Sequence, residues 1–202
     1  RINGKTTYAL EGSIFIAGAG VQWLRDKIKF IKKASDTEKI AQSLKSNNGI
    51  YLVPAFTGLG APYWDANARG ILSGLTRNTG PKEIIRATIE SVAYQTYDLF
   101  EAMKNDGLKP NLIKVDGGMV QNNWFSQFLA DTINTKVLRP KVNETTALGA
   151  AFMAGLQIGV YKSLKDISKN WQADKSFKPR IKNSERKILI DGWRKAIKKT
   201  LS

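Results

Sequence analysis

Two glycines followed closely by two asparagines form a stretch whose residue types suit ligand binding. Residues 116–123 read DGGMVQNN and follow a short apolar segment at 112–115. Glycine turns easily with positive φ, and neither Gly117 nor Gly118 has a Cβ that would block a flat ligand. Asn122 could then hydrogen-bond the edge of a base or a ribose. A plain tight turn has the same pattern, so this stretch alone leaves both interpretations open.

A second junction of small residues, AGAG at 17–20, precedes an amphipathic helix pattern. Small residues at a helix start let backbone N–H groups and the positive end of the helix dipole approach a nucleotide. It is not a dinucleotide fingerprint, because Trp23 stands where the third glycine would allow close packing. Nor is GKT at 4–6 a phosphate-binding loop, since a strand pattern follows it instead of a helix. Two glycine junctions in one chain favour a nucleotide site.

The composition excludes two large classes of chemistry. The 202 residues contain no cysteine and no histidine, so disulfides, thiolate catalysis and the commonest general base are absent. Carboxylate, lysine or hydroxyl chemistry and binding through backbone amides remain. No apolar run approaches the roughly 20 residues of a spanning helix, and the first residues lack a signal-peptide pattern. We therefore expect a cytoplasmic protein with no membrane partner.

The formal net charge of +15 raises the question of an anionic partner. The basic residues are scattered, with local clusters at 32–33 and 186–199, and no basic run alternates with aromatics. We interpret them as a solvated basic surface and expect no nucleic-acid partner. A positive field would also favour a polyphosphate ligand.

Hydrophobic periodicity predicts strands that alternate with helices, which indicates an α/β layer architecture in a single domain. The predicted strands cover residues 7–16, 50–54, 112–115 and 137–142. The predicted helices cover 21–31, 37–44 with Asp36 as cap, a long helix from Gly80-Pro81 to Gly107, 123–133, a helix from Asn143 or Thr145 to Gly159, and 184–202. The first strand depends on Tyr8, Leu10, Ile14 and Ile16, and the last helix on Ile188, Trp193, Ile197 and Leu201. Residues 55–75, rich in Gly, Pro and aromatics, are predicted to form an ordered loop whose Phe56, Tyr63 and Trp64 cover the core.

Five motifs make the chain resemble the C-terminal domain of the glycerol kinases, a carbohydrate kinase family with the actin and heat-shock ATPase fold. They are YALEG…AGAGVQWLRD at 8–26, VPAFTGLGAPYWDANARG at 53–70, RATIESVAYQT at 86–96, VDGGMVQNN at 115–123 and ETTALGAAFMAG at 144–155. The DGG turn and the ALGAA helix mark the wider sugar-kinase family, whereas PAFTGLGAPYWD is similar to glycerol kinases in particular. The similarity fades after about Leu164.

The resemblance implies a ribonuclease H-like α/β fold, a mixed sheet flanked by helices, which the chain would contain without its N-terminal end. It divides the chain into a nucleotide-binding domain at 1–164 and an extension at 165–202 whose terminal helix packs on the same domain. The implied activity is phosphorylation of glycerol by ATP with Mg²⁺, in a full-length protein that forms a homo-oligomer.

By the same resemblance, Gly18 and Gln22 match positions that contact the ATP phosphates, and Gly118 and Asn122 match positions around the adenosine. With Gly117 they form the predicted nucleotide-binding set. The family's catalytic aspartate and glycerol-binding residues precede the segment matched here, so we expect no catalytic or metal-binding residue in this chain and no turnover by it alone. Asp116 is interpreted as holding its turn.

Three alternatives remain open from the sequence. The chain could come from another carbohydrate kinase of the same family, from an inactive actin-like interaction domain, or from a basic polyanion-binding module. An intact parent without the catalytic aspartate would favour the interaction domain, and salt-dependent DNA binding without competition by ATP would favour the third.

Overall fold

The computed structural model describes residues 2, 4–9 and 12–201. In these residues, seven helices surround a mixed three-stranded sheet and a separate two-stranded ribbon. The sheet has the order β3 (Leu112–Lys114), β4 (Lys136–Pro140), β5 (Ala173–Phe177), with β3 parallel to β4 and β5 antiparallel to β4. Across the described ranges, no helix is both long and apolar enough to cross a bilayer.

The chain enters through α1 (Gly18–Asp26) and α2 (Asp36–Ser43). The predicted helix at 21–31 is therefore too long at its end, because Lys29 adopts a positive φ of 59° that a helix cannot contain. Ile31 is still buried beside Leu24. Asp36 is not a cap either, since its Oδ2 accepts the backbone N–H groups of Lys32 and Lys33, which precede the helix.

The long helix α3 (Pro81–Asn105) is the central element, as predicted. Its first turn is fixed by Glu83, whose Oε2 accepts the Gly80 backbone N–H at 3.0 Å. It packs against the ribbon of β1 (Tyr51–Val53) and β2 (Ile71–Ser73). The strand β2 corrects the prediction of a continuous loop at 55–75, which missed it because three half-buried residues carry no alternating pattern.

The second half begins with β3 (Leu112–Lys114), a 3₁₀ turn (Gly118–Gln121), α4 (Asn123–Ile133) and β4 (Lys136–Pro140). The predicted bounds of α4 are confirmed, and its inward apolar residues are buried. Helix α5 (Thr145–Gln157) follows, with Glu144 at its N-cap position and no capping side chain. Capping by Asn143 or Thr145 is therefore wrong.

The C-terminal part consists of α6 (Leu164–Ser168), β5 (Ala173–Phe177) and α7 (Asn183–Thr200). Trp193 and Ile197 of α7 are buried in the main core, as predicted. Ile188 is 70% exposed and does not belong to the buried stripe, because it lies five residues before Trp193 and faces another side of the helix. Leu201 is also exposed, and Ser202 lies outside the described residues.

The predicted strand at 7–16 is wrong where it can be judged. Leu10 and Glu11 lie outside the described residues, while residues 7–9 and 12–16 are not in a strand and Tyr8 is 91% exposed. A strand needs a hydrogen-bonded neighbour, and no described strand pairs with this segment. Ile16 is nevertheless buried, so the segment leads into α1 along the core.

Candidate functional site

The N-terminus of α1 is open to a ligand. Gly18 is exposed, and a Cβ added there would meet no atom within 4 Å. Ala17 provides no capping side chain, and the first turn contains no acidic residue. The Gly20 N–H donates to the Ala17 carbonyl at 3.0 Å, but N–H groups at the very start of a helix otherwise have no intrahelical partner and lie at the positive end of its dipole. This end of α1 is therefore suited to bind an anion.

Packing of α1 against α3 fixes the direction of that open end. A Cβ at Gly20 would lie 3.1 Å from Thr88 Cγ2, so the small residue allows the two helices to approach closely. The Gln22 side chain is exposed and makes no hydrogen bond to the residues that the structure describes. It lies four residues after Gly18, on the same face of the helix. Its amide is available beside the open N–H groups.

The second junction, after β3, is equally unobstructed. Gly117 has a φ of 86°, which side-chain-bearing residues rarely adopt, and this conformation turns the chain into the 3₁₀ turn. Gly117 and Gly118 are exposed, and a Cβ at either position would meet nothing within 4 Å. The turn therefore presents flat backbone to solvent, a surface on which an aromatic base could lie.

A buried arginine from β4, which the sequence analysis missed, holds this turn in place. Arg139 is 7% exposed and donates from Nη1 to the carbonyl oxygens of Val120 and Gln121 at 3.0 and 3.2 Å. Its Nε and Nη2 donate to Asp174 Oδ2 at 2.9 and 2.6 Å. Arg139 therefore connects the turn after the two glycines to β5, which carries Asp174.

Asn122 has a structural task in the same turn. Its Oδ1 accepts the Phe125 backbone N–H at 2.8 Å, which caps α4, and its Nδ2 donates to Thr37 Oγ1 at 3.2 Å. The asparagine is thus the N-cap of α4. Both ends of its amide are engaged, and its contact with a nucleotide stays a prediction.

The start of α4 is closed to anions by a carboxylate from α2. Glu38 Oε1 accepts both the backbone N–H and the side-chain Nδ2 of Asn123, each at 3.1 Å. A negative charge there is stabilised by the helix dipole and repels a phosphate. Of the two junctions, α1 is therefore the better phosphate site, and the two glycines after β3 are better suited to an uncharged ring.

Met119 links the two junctions through the core. It packs against the cluster that contains Val21 and Leu24 of α1 and also against the main core. Trp124, in the first turn of α4, contacts both clusters as well. The fold thus places both junctions on one continuous packed layer.

The groups with strongly perturbed pKa values lie in the core and not at the junctions. Burial raises the pKa of Asp98 to about 6, opposed by hydrogen bonds from Trp193 and Tyr63. Burial also raises the pKa of Glu90, opposed by its ion pair with Arg86. The Asp116 side chain is exposed and makes no hydrogen bond within the described part of the chain, so it does not hold its turn as predicted.

The loop after β1 covers the core with only two of its three predicted aromatics. Phe56 packs on Trp23 with ring centroids 5.1 Å apart, and Tyr63 donates to Asp98 at 2.8 Å. Trp64 is 71% exposed with a φ of 52°, so it points away from the core and the prediction is wrong for it.

No metal site is recognisable in the described ranges, where no three acidic side chains gather. Mg²⁺ in phosphoryl transfer is bound through one or two carboxylates together with substrate phosphates. The described carboxylates near the junctions do not form such a set, since Glu38 is bound to Asn123 and Asp116 stands alone.

Comparisons with known proteins agree on one family. Residues 2–158 match the FGGY family of carbohydrate kinases, C-terminal domain. The chain is 56% identical over 197 residues to a protein named glycerol kinase from Alteromonas mediterranea and 56% identical over 203 residues to one from Ectopseudomonas mendocina. These alignments cover 98% and 100% of this chain but only 40% and 41% of the relatives.

Solved structures show the same similarity. The crystal structure of Plasmodium falciparum glycerol kinase with ADP matches with a TM-score of 0.86 and 38% identity, over 95% of this chain and 38% of that one. A ligand-bound xylulose kinase from Lactobacillus acidophilus matches with a TM-score of 0.78 and 27% identity, over 93% and 38%. The fold class expected from the sequence, a mixed sheet flanked by helices as in the actin-like ATPases, is thereby confirmed.

Proposed function

The chain belongs to the FGGY family of carbohydrate kinases, and from this membership we propose that it forms the nucleotide-binding wall of an ATP-dependent glycerol kinase. The reaction is transfer of the γ-phosphoryl group of ATP to a hydroxyl of glycerol, which yields glycerol 3-phosphate. The observation that carries the proposal is the pair of unobstructed glycine junctions at Gly18 and Gly117-Gly118. Relatives named glycerol kinase, 51–56% identical, support the choice of glycerol.

Each junction has its own task in this proposal. The phosphates of ATP bind the free N–H groups at Gly18, with the Gln22 amide as a further donor. The adenosine lies on Gly117 and Gly118, and Asn122 stands beside it as the cap of α4. Glu38 repels phosphate from the start of α4 and so favours one orientation of the nucleotide.

Phosphoryl transfer depends mainly on positioning and on stabilisation of developing charge. This chain positions the nucleotide, and we assign the proton acceptor and the glycerol contacts to the part of the protein that the matched relatives have in addition. We therefore propose that the 202-residue chain by itself has no kinase turnover.

We extend the proposal to the organisation of the protein. Residues 1–164 correspond to the nucleotide-binding domain, in line with the family match to 2–158. Residues 165–202 add β5 and α7 to the same packed unit. The whole protein is a cytoplasmic homo-oligomer, and its ligands are ATP or ADP and glycerol.

A chimera tests this proposal directly. The chain replaces its aligned segment in the glycerol kinase of Ectopseudomonas mendocina, which it matches over its full length. We expect ATP-dependent formation of glycerol 3-phosphate in a coupled assay, no phosphorylation of xylulose, and loss of turnover in the Gly118→Val chimera. A folded chimera that binds glycerol but does not phosphorylate it would contradict the proposal.

A further inference from the structure

Helix α5 is largely apolar and yet lies mostly outside the core. None of its 13 residues, Thr145–Gln157, is charged, and only Gly155 is buried. Met153 is 43% exposed, and Ile158, directly after the helix, is 77% exposed. A helix that is apolar on all sides normally lies in the interior of a protein. In the described part of the chain, α5 therefore lacks a surface that would cover it.

The contacts of α5 are mainly with the turn that follows it. The rings of Phe152 and Tyr161 have centroids 5.5 Å apart. The Gly155 carbonyl accepts the backbone N–H groups of Val160 and Tyr161 at 2.8 and 3.2 Å. No other helix or strand of the described residues packs extensively against α5. Its outer side, which includes the exposed Ala154, is left uncovered.

One face of the mixed sheet is uncovered as well. Ile113, Val137 and Phe177 occupy neighbouring positions on β3, β4 and β5 and pack in the main core together with α4. Side chains alternate between the two faces along a strand, so Leu112 and Lys114 point to the opposite face, and both are exposed. Parallel strands are normally covered on both faces. The sheet thus lacks its cover on the side away from α4.

The outer edge of β3 is also free. In the strand order, β3 has β4 on one side and no described strand on the other. The Val115 backbone N–H donates to the Leu138 carbonyl at 3.0 Å. Because the backbone groups of successive residues point to opposite sides of a strand, the N–H and C=O of Lys114 point away from β4. This edge can therefore pair with a further strand.

The length of the relatives indicates what covers these surfaces. More than half of each of the two glycerol kinases lies outside its alignment with this chain. A second copy of the chain is a poor occupant, because each copy has a formal net charge of +15 and the two repel each other. A strand of the same polypeptide is present at high effective concentration and avoids this repulsion.

We propose that β3 and α5 form one docking surface for the part of the kinase that the matched relatives have in addition. An apolar strand of that part pairs with the outer edge of β3, and α5 packs on the face of the sheet that is thereby extended. This inference rests on the proposed function in that it requires a longer kinase. It requires neither nucleotide binding nor turnover, so the two proposals fail separately.

Hydrogen–deuterium exchange tests the surface by comparing the chain alone with the chimera that contains the rest of the Ectopseudomonas mendocina enzyme. Peptides of β3 and α5 should exchange at least tenfold more slowly in the chimera, whereas β5, at the other edge of the sheet, should change less than twofold. Slow exchange in an inactive chimera would support the surface and contradict the kinase proposal. An active chimera with unchanged exchange in β3 and α5 would overturn the surface. Protection that rises with the concentration of the chain alone would assign it to a second copy and also overturn the proposal.

Two substitutions locate the contacts, each with a matched control. Lys114→Pro removes the outward N–H of β3, which an edge strand tolerates. Its control, Lys114→Ala, keeps the N–H and removes the same contact of Lys114 with the Trp171 ring. Ala154→Glu places a charge on the exposed side of α5, and its control, Ile188→Glu, does so at an exposed apolar position of α7.

The four variants are compared in both settings. In the chimera, Lys114→Pro should speed the exchange of β3 and Ala154→Glu that of α5 by about tenfold, because one loses a hydrogen bond and the other buries a charge. Both controls should exchange as the parent chimera does. In the chain alone, all four variants should retain the exchange of the parent chain outside the substituted residue. Parent-like exchange of both test variants in the chimera would overturn the proposal.

Discussion

The most quantitative prediction concerns Asp98, a buried carboxylate that joins three parts of the fold. It lies on α3, and its Oδ2 accepts hydrogen bonds from Trp193 Nε1 of α7 at 2.6 Å and from Tyr63 of the loop after β1 at 2.8 Å. Trp193 is fully buried and Asp98 is 7% exposed. Substitution Asp98→Asn keeps an acceptor for both donors and removes the titrating charge.

The size of the effect follows from the pKa of Asp98, which burial raises from 3.8 to about 6. Between these two pH values the folded chain holds a proton that the unfolded chain has released, so the free energy of unfolding falls as the pH rises. The full difference is about 3 kcal/mol at 1.36 kcal/mol per pH unit. Of this, about 2 kcal/mol is lost between roughly pH 4.5 and pH 7.

Urea unfolding followed by tryptophan fluorescence measures the prediction. For each protein, the free energy of unfolding at pH 7 is subtracted from the value at about pH 4.5. This difference should be about 2 kcal/mol larger in the parent chain than in Asp98→Asn, because other titrating groups cancel. Asp106→Asn, an exposed acid after the end of α3, should behave as the parent does. Equal pH dependence of the parent chain and Asp98→Asn would refute the assigned pKa.

Three further substitutions test the supports of the site and the core. Arg139→Met leaves the Val120 and Gln121 carbonyls without their donor, and we expect a loss of about 1–3 kcal/mol in urea unfolding. Asp174→Glu should lose less, because the Asp174 side chain is partly exposed. Glu38→Gln removes the charge at the start of α4 and should cost about 0.5–1 kcal/mol, an effect that should shrink in high salt. Gly192→Ala places a Cβ against the Tyr51 ring and should lower the free energy of unfolding by about 1–3 kcal/mol; Gly149→Ala, which meets no neighbour, should not. Parent-like stability in all three would show that these contacts are not formed.

The sequence predicted the helices whose ends are set by residues nearby in the chain. The bounds of α4 followed from an apolar period and from a polar residue at its start, and the start of α3 followed from Gly80-Pro81. The strand at 7–16 failed because a strand depends on a partner distant in sequence. The strand β5 was missed because four of its five residues are exposed, which leaves no alternating pattern to detect.

The candidate site likewise has features that the sequence shows and contacts between distant residues that it does not show. Both glycine junctions were visible in the sequence, because glycine before a helix pattern indicates a turn whose backbone a ligand can approach. Arg139 and Glu38 were not, because each reaches its partner across a separation that only the fold closes. The Glu38 contact spans 85 residues, and no spacing rule connects such positions. The Asn122 amide, which the sequence places at the nucleotide, also caps α4 and donates to Thr37, a contact across 85 residues.

We propose that Gly117 and Gly118 form the surface on which a nucleotide base lies. Gly118 gives the cleanest test, because a Cβ there meets nothing and its φ is not in the left-handed region. Gly118→Val should therefore leave the fold intact while it obstructs the base, and Gly149→Val on α5 is the matched control. In calorimetric titrations with ATP, we expect binding by the parent chain and by Gly149→Val, and a loss of at least tenfold in Gly118→Val. Equal ATP affinity in the parent chain and Gly118→Val would contradict the account.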